Sequence, residues 1–136
     1  AIPGAGWSSP VLVAGRIYLT TAVDEADVRS LRTLCLEAAD GRVRWNVEIF
    51  RRDTGSAPGI HRKNGHASPT PVVRDGRIYV HFGHDGTAAL DPDGQVLWRQ
   101  EALRYTPIHG NGGPPALIGD RLIYSGDGGS DPFVAA

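Results

Sequence analysis

Five histidines are the residues of this sequence whose type and spacing could do chemistry: His61, His66, His81, His84 and His109. His66 stands five residues before Pro71 and His109 six before Pro115, at nearly equivalent points ahead of two similar segments. If both precede an inner strand of the same fold, their imidazoles could approach each other. Imidazole is a good ligand for zinc, copper and nickel.

We nevertheless predict that these histidines cap turns through hydrogen bonds and that the chain holds no metal. A metal site needs several ligands in convergent geometry, and no carboxylate or thiolate is spaced to complete the shell. If a metal does bind, the candidate ligands are His66, His84 and His109.

The other reactive residue types predict no catalytic site. The single cysteine, Cys35, allows no internal disulfide and falls in a predicted strand, where a buried thiol is usual. Five aspartates precede glycines in predicted turns, where a short carboxylate bonds the local backbone: Asp40, Asp75, Asp85, Asp93 and Asp127. The glycine-rich stretch 110–115 lacks the Lys-Ser/Thr pair of a P-loop, and 126–131 lacks the spacing of an EF-hand loop.

Composition narrows the fold that must position these residues. The chain has 136 residues, a net charge of −1 and 40% apolar residues, which indicates a soluble globular domain and disfavours a nucleic-acid partner. Its 18 glycines and 10 prolines disfavour long helices. No apolar run approaches the ~20 residues of a membrane span. The amino terminus has no features of a signal peptide, so we expect any targeting segment to lie outside this sequence.

Three stretches of the sequence repeat one pattern, at residues 9–19, 70–80 and 114–124. The first two continue into similar second halves, at 36–45 and 90–98, and we expect the second half of the third to follow residue 136. The offsets are 61 and 44 residues. The core unit is therefore about 44 residues, in the range of four-stranded propeller blades. We predict polar, loop-like insertions near residues 24–32 and 51–64.

The second copy predicts four short antiparallel strands joined by Asp-Gly turns, because Asp-Gly favours tight hairpins. Along the second strand of the second copy, alternation places Ile78, Val80 and Phe82 on one face and Tyr79 and His81 on the other. An amphipathic helix is the alternative for the first copy, where apolar residues recur with helical spacing at Val28, Leu31, Cys35 and Ala38. The strand is favoured because the same Asp-Gly-x-Val-x-Trp ending follows in the second copy.

The pattern Ser-Pro-Val-x-x-x-Gly-Arg-Ile-Tyr, followed by Leu-Asp-x-x-Gly-x-Val-x-Trp, resembles the pyrroloquinoline quinone (PQQ) repeat of eight-bladed β-propellers. That family includes quinoprotein alcohol dehydrogenases and the non-catalytic outer-membrane assembly lipoprotein BamB. The resemblance implies an all-β fold of four-stranded antiparallel blades. It divides the chain into a blade at 7–50, a loop insertion at 51–65, a blade at 66–103 and a half blade at 110–136.

The resemblance also implies roles for particular residues. Trp45 and Trp98, which close the two complete repeats, are expected to dock on the neighbouring blade. The quinoproteins use an Asp base, Ca²⁺ ligands and often an adjacent Cys pair, and this chain has one cysteine. We therefore expect no PQQ or Ca²⁺ in this segment.

The predicted function is a propeller scaffold for protein or ligand contacts that is not catalytic by itself, since one fold hosts many functions. The alternative is part of a quinoprotein dehydrogenase whose catalytic residues lie in other blades. Expected partners are the remaining blades, a second copy or another protein, with no nucleic acid and no membrane span. The resemblance implies a periplasmic or extracellular location.

Overall fold

A computed structural model describes residues 1–55, 59–129 and 131–136. The first sheet is antiparallel, with its four strands side by side in chain order. These strands are β1 (Val11–Val13), β2 (Arg16–Glu25), β3 (Val28–Glu37) and β4 (Val43–Asp53). The predicted strand around Cys35 is thus confirmed, since it lies within β3, and the helical alternative is wrong.

The second sheet repeats this arrangement, and a third sheet follows it. Strands of the second sheet are β5 (Val72–Arg74), β6 (Arg77–His81), β7 (Thr87–Leu90) and β8 (Val96–Gln100). Strands of the third are β9 (Ala116–Ile118), β10 (Arg121–Gly126) and β11 (Phe133–Ala135). The described residues contain no α-helix, only one 3₁₀ turn at Gly83–Asp85. The all-β prediction is confirmed.

Connections alternate between the two ends of each sheet, as they must when consecutive strands are antiparallel neighbours. We call one end the turn end, because it carries the two-residue turns that follow β1, β5 and β9. The other is the loop end. It carries the β2–β3 and β6–β7 connections and the longer segments that lead from one sheet to the next. Residues with side-chain chemistry are concentrated at the loop end.

The tight turns follow the predicted chemistry at only some Asp-Gly pairs. Asp75 and Gly76 have φ of 51° and 70°, the left-handed values that a two-residue type I′ hairpin requires. Asp85-Gly86 was also predicted to form a tight hairpin, and this is wrong. Residues 83–85 form a 3₁₀ turn there, and both His84 and Asp85 are buried in it. A buried carboxylate needs a partner from elsewhere in the chain, which is described below.

The first predicted insertion is not a loop. β2 and β3 remain paired out to Glu25 and Val28, so the added residues lengthen the hairpin. Across this extension Arg29 Nε and Nη2 donate to the two carboxylate oxygens of Asp24, at 2.7 and 2.8 Å. Strand pairing gives the backbone N–H and C=O groups hydrogen-bond partners within the protein, whereas in a polar loop these groups would bond to water. In the second predicted insertion, β4 continues to Asp53, and residues 56–58 lie outside the described residues.

One hydrophobic core lies between the first and second sheets. Ile78, Val80 and Phe82, which were predicted to share one face, are all fully buried, and His81 of the opposite face is buried too. They pack with buried apolar residues of the first sheet, where the Phe50 ring meets Phe82 edge-on at 5.9 Å, and with Leu31. Such burial is the main favourable term in holding the two sheets face to face.

The turn-end side of this core is fastened by one backbone carbonyl. Pro92 O, in the β7–β8 connection, accepts hydrogen bonds from Trp45 Nε1 and Arg16 Nη1, each at 3.0 Å. A Cβ on Gly94 would stand 2.9 Å from the Trp45 ring, so glycine is what lets the indole approach the backbone. Trp45 therefore joins the first sheet to the second through both a hydrogen bond and ring contact.

Trp98 occupies the corresponding position of the second repeat, but its surroundings differ. Its ring contacts Tyr79 of its own sheet at 6.4 Å between centroids, and 40% of the residue is exposed. The exposed indole faces no segment that matches the Pro92–Gly94 turn among the described residues.

Truncating the two tryptophans should therefore have unequal effects. Trp45→Ala should lower the free energy of unfolding by about 3 kcal/mol, because it empties a packed site and removes a donor from Pro92 O. Trp98→Ala should cost about 1 kcal/mol, the level of a partly exposed site. Urea unfolding of both variants measures the difference. Equal costs would mean that Trp45 does not dock in the way described.

Candidate functional site

The loop end brings together polar side chains from all three sheets. Arg52 comes from the end of β4, His84 and Asp85 from the 3₁₀ turn after β6, and Asn111 from the segment between β8 and β9. These three elements are far apart in the sequence, so the proximity of their side chains depends on how the sheets pack. Two clusters hold this end together.

The first cluster is centred on the Arg52 guanidinium. Its Nε donates to Asp85 Oδ1 at 3.0 Å, and its Nη2 donates to Asp85 O at 2.7 Å and to Glu101 Oε2 at 2.8 Å. The Asp85 side chain is only 5% exposed, so this guanidinium supplies the charge that compensates a buried carboxylate. Arg52 also lies over the Phe50 ring, 5.1 Å from its centroid. It thus links the first sheet to the 3₁₀ turn of the second.

The second cluster is centred on the Asn111 amide. Asn111 Oδ1 accepts a hydrogen bond from the Tyr105 hydroxyl, and Asn111 Nδ2 donates to Phe82 O at 3.5 Å and lies 3.3 Å from His84 Nδ1. A Cβ on Gly83, whose φ is +61°, would overlap the Asn111 amide. Glycine at this position therefore allows the segment that leads to the third sheet to pack against the second sheet.

Burial controls the protonation of two histidines at this end. Burial lowers the pKa of His84; the neighbouring Asp85 carboxylate opposes this shift, while the Arg104 and Arg52 guanidiniums add to it. Burial also lowers the pKa of His66, and the nearby Arg29 guanidinium acts in the same direction. Both rings are therefore neutral near pH 7. His66 Nδ1 is buried without a hydrogen-bond partner, and so is His84 Nε2, which lies 3.3 Å from Asp85 Oδ2.

The remaining histidines lie in two further places. His109 makes its ring contact with His61, edge-on at 5.4 Å between centroids, whereas the sequence pointed to His66 as its neighbour. The segments that carry them do meet, because Asn64 Nδ2 donates to His109 O at 3.0 Å. His81 lies at the end of β6 with its ring against Tyr124 of the third sheet.

The three metal candidates are therefore distributed rather than convergent. His66 and His84 interact electrostatically, and His109 lies with His61 in the outer loops. Within residues 1–55, 59–129 and 131–136, no group of three or more His, Cys, Asp or Glu side chains could hold a metal ion. The chemistry of the loop end is charge compensation and hydrogen bonding between sheets.

Sequence reasoning missed the two residues that organise this end. Arg52 bonds to Asp85 and Glu101, 33 and 49 residues away, and Asn111 meets Phe82 and His84, 29 and 27 residues away. Local sequence carries no signal for such contacts. Asp85 was assigned to a local turn because it precedes a glycine. Gly83 was the available signal for Asn111, since a glycine beside a buried turn suggests a close approach.

Large apolar side chains are exposed on the loop-end segments. Trp7 is 62% exposed and Ile108 68%. The backbone N–H of Trp7 donates to Ala67 O at 3.0 Å, so this exposed ring is carried by an anchored segment. Exposed apolar residues on a held framework are typical of contact surfaces.

Two glycine substitutions distinguish the stability that the Asn111 contact contributes from the cost of backbone strain. Gly83→Ala and Gly76→Ala both put a side chain at positive φ, +61° and +70°, but only the Gly83 variant meets another residue within 4 Å. Gly76→Ala should cost about 1 kcal/mol from the left-handed backbone. Gly83→Ala should cost about 1 to 2 kcal/mol more, because it also expels the Asn111 amide. Thermal and urea unfolding compare the two; equal costs would remove the role given to Asn111.

Comparison with known proteins identifies the family. The PQQ-type repeat family described as outer membrane protein assembly factor BamB matches residues 2–131. The crystal structure of BamB from Moraxella catarrhalis is similar at 13% sequence identity and a TM-score of 0.46, over 86% of this chain and 40% of that one. This chain thus spans less than half the length of that structure.

No curated protein matches this chain. No helix among the described residues is long and apolar enough to cross a membrane. Because the family match covers nearly the whole sequence, the chain belongs to the PQQ-like β-propeller family of the assembly factor BamB.

Proposed function

We propose that this chain is part of a non-catalytic propeller scaffold whose loop end binds a protein partner. The observation that carries the proposal is the cross-linking of the loop end by Arg52 and Asn111. Loops that are tied to a rigid framework can present a defined surface without a large ordering cost on binding. The family name, assembly factor, agrees with a role in protein contacts.

Exposed apolar groups supply the contact area that such a role needs. Trp7, Leu103 and Ile108 are all at least 40% exposed, and all lie on segments that enter or leave sheets at the loop end. Aromatic and aliphatic anchors of this kind dominate the energy of protein interfaces. Charged groups of both signs also lie at the loop end, Lys63 between β4 and β5 and Glu101 between β8 and β9, and would form a polar rim.

The proposal assigns the histidines and aspartates of the described residues to structural roles. Arg52 neutralises Asp85, and Asn111 meets His84, so both buried groups act between sheets. No PQQ, Ca²⁺ or transition metal is part of the proposed function. Saturable heat on titration with Zn²⁺, or with PQQ and Ca²⁺ together, would contradict it.

Site-specific photo-crosslinking tests where a partner binds. The chain offers a matched pair, since Ile108 at the loop end is 68% exposed and Ile118 at the turn end is 64% exposed. A photoreactive amino acid is placed at each position in the complete protein, in its native cells. We expect a discrete protein adduct from position 108 and none from position 118. Adducts only from position 118, or equal adducts from both, would contradict the proposed surface.

A further inference from the structure

The second and third sheets meet in a seam that differs from the one between the first and second. Phe50, Leu31 and Val80 line the first seam, within a largely apolar core. At the second seam β6 presents His81, which is 2% exposed, and its ring lies 4.5 Å from that of Tyr124 on β10, tilted by 38°. A titratable group is thus enclosed where the third sheet attaches.

The internal repeat emphasises this difference. Thr20 is the residue of the first sheet that corresponds to His81, since the two copies are offset by 61 residues. Thr20 is also buried, and its hydroxyl lies 3.4 Å from Ala67 O and from Pro69 O at the start of the second sheet. At this matched position one seam carries a hydroxyl that does not titrate, and the other an imidazole that does.

The surroundings of His81 hold the ring in its neutral form. On β7, Thr87 Oγ1 lies 2.9 Å from His81 Nδ1, and on β10 the facing group is the Tyr124 phenol. Burial alone lowers the pKa of His81 to about 4, and no neighbouring charge contributes. A proton on this ring would therefore sit in the seam without a counter-ion.

The titratable groups nearest to His81 along the chain already have their own partners or are neutral. In the 3₁₀ turn that follows β6, the Asp85 carboxylate is bound by Arg52. His84 of the same turn faces Asn111 and has its own pKa lowered by burial. From the segment leading to the third sheet, the Tyr105 phenol has a pKa raised to about 12, first by burial and then by Asp127, so it stays neutral in acid.

We propose that the seam between the second and third sheets is an acid-labile joint, which opens when His81 takes up a proton. The third sheet then separates from the second at the loop end, while the first and second sheets stay packed. The joint is closed at neutral pH and opens in mild acid. Binding through segments on both sides of the seam would respond to acidification.

The direction and the pH range follow from linkage. A solvent-exposed histidine titrates near pH 6.5, whereas His81 in the closed seam has a pKa of about 4. The open state therefore takes up the proton first as pH falls, and the closed state loses stability between these two values. The opening equilibrium should rise about 20-fold from pH 7 to pH 5, and on the order of 100-fold from pH 7 to pH 4.

Hydrogen exchange measured from pH 7 to pH 4, corrected for intrinsic exchange rates, tests the joint directly. Because β9 and β11 have only three residues each, we expect the separated third sheet to lose its strand pairing, so that protection of the β10 amides, residues 121–126, falls by these factors relative to the β6 amides at 78–80. His81→Gln keeps a neutral polar side chain beside Thr87 and should remove most of the change, leaving the part that the buried His84 contributes. His109→Gln, which removes an exposed histidine of the same end, should leave it unchanged.

Two outcomes would overturn the proposal. One is an equal fall in β10 protection in the wild type and in His81→Gln. The other is a wild-type imidazole titration, followed by carbon NMR, in which His81 titrates at pH 6 or above. The second measurement needs no variant, so it decides the matter even if the substituted protein does not fold.

Discussion

A single backbone carbonyl, that of Pro92, fixes how the first sheet sits on the second at the turn end. It accepts hydrogen bonds from both Trp45 and Arg16, which come from different strands of the first sheet. Apolar burial holds the sheets together but does not by itself set their register, because it is non-directional. Two donors that converge on one acceptor do set it. At the loop end other donors act between the same two sheets, among them Arg99 Nε, which donates to Ile49 O at 2.8 Å.

At the loop end the consequence is a set of contacts between distant parts of the chain. Arg52 reaches Asp85 and Glu101 because the end of β4 lies above the second sheet. Asn111 then places the start of the third sheet on the same turn, over Gly83. Arg52 neutralises the buried Asp85 carboxylate, and Asn111 donates a hydrogen bond to Phe82 O. Loss of either contact leaves polar groups buried and unpaired. These are the features that make the loop end a defined surface.

Much of the fold could be predicted from the sequence because each repeat carries its own local signals. Alternation placed Ile78, Val80 and Phe82 together on one face, which is buried, and the two-residue Asp75-Gly76 turn specified a hairpin. The long β2–β3 hairpin was missed because its polar residues, such as Asp24 and Arg29, pair with each other across the strands. The site was less predictable, since an Asp-Gly pair looks the same whether its carboxylate bonds the local backbone or, like Asp85, a distant arginine. Pairing of His109 with His61 depends on two loop paths that no local pattern describes.

The central claim is that Trp45 and Arg16 act jointly through Pro92 O, and a double-mutant cycle tests it most directly. The variants are Arg16→Met, Trp45→Phe and the double substitution, each measured by urea unfolding. When one donor is removed the other still satisfies the carbonyl, and only the double variant leaves it without either. The account predicts that the double variant loses about 1 kcal/mol more than the sum of the single losses. Single losses that add to within about 0.3 kcal/mol would contradict it.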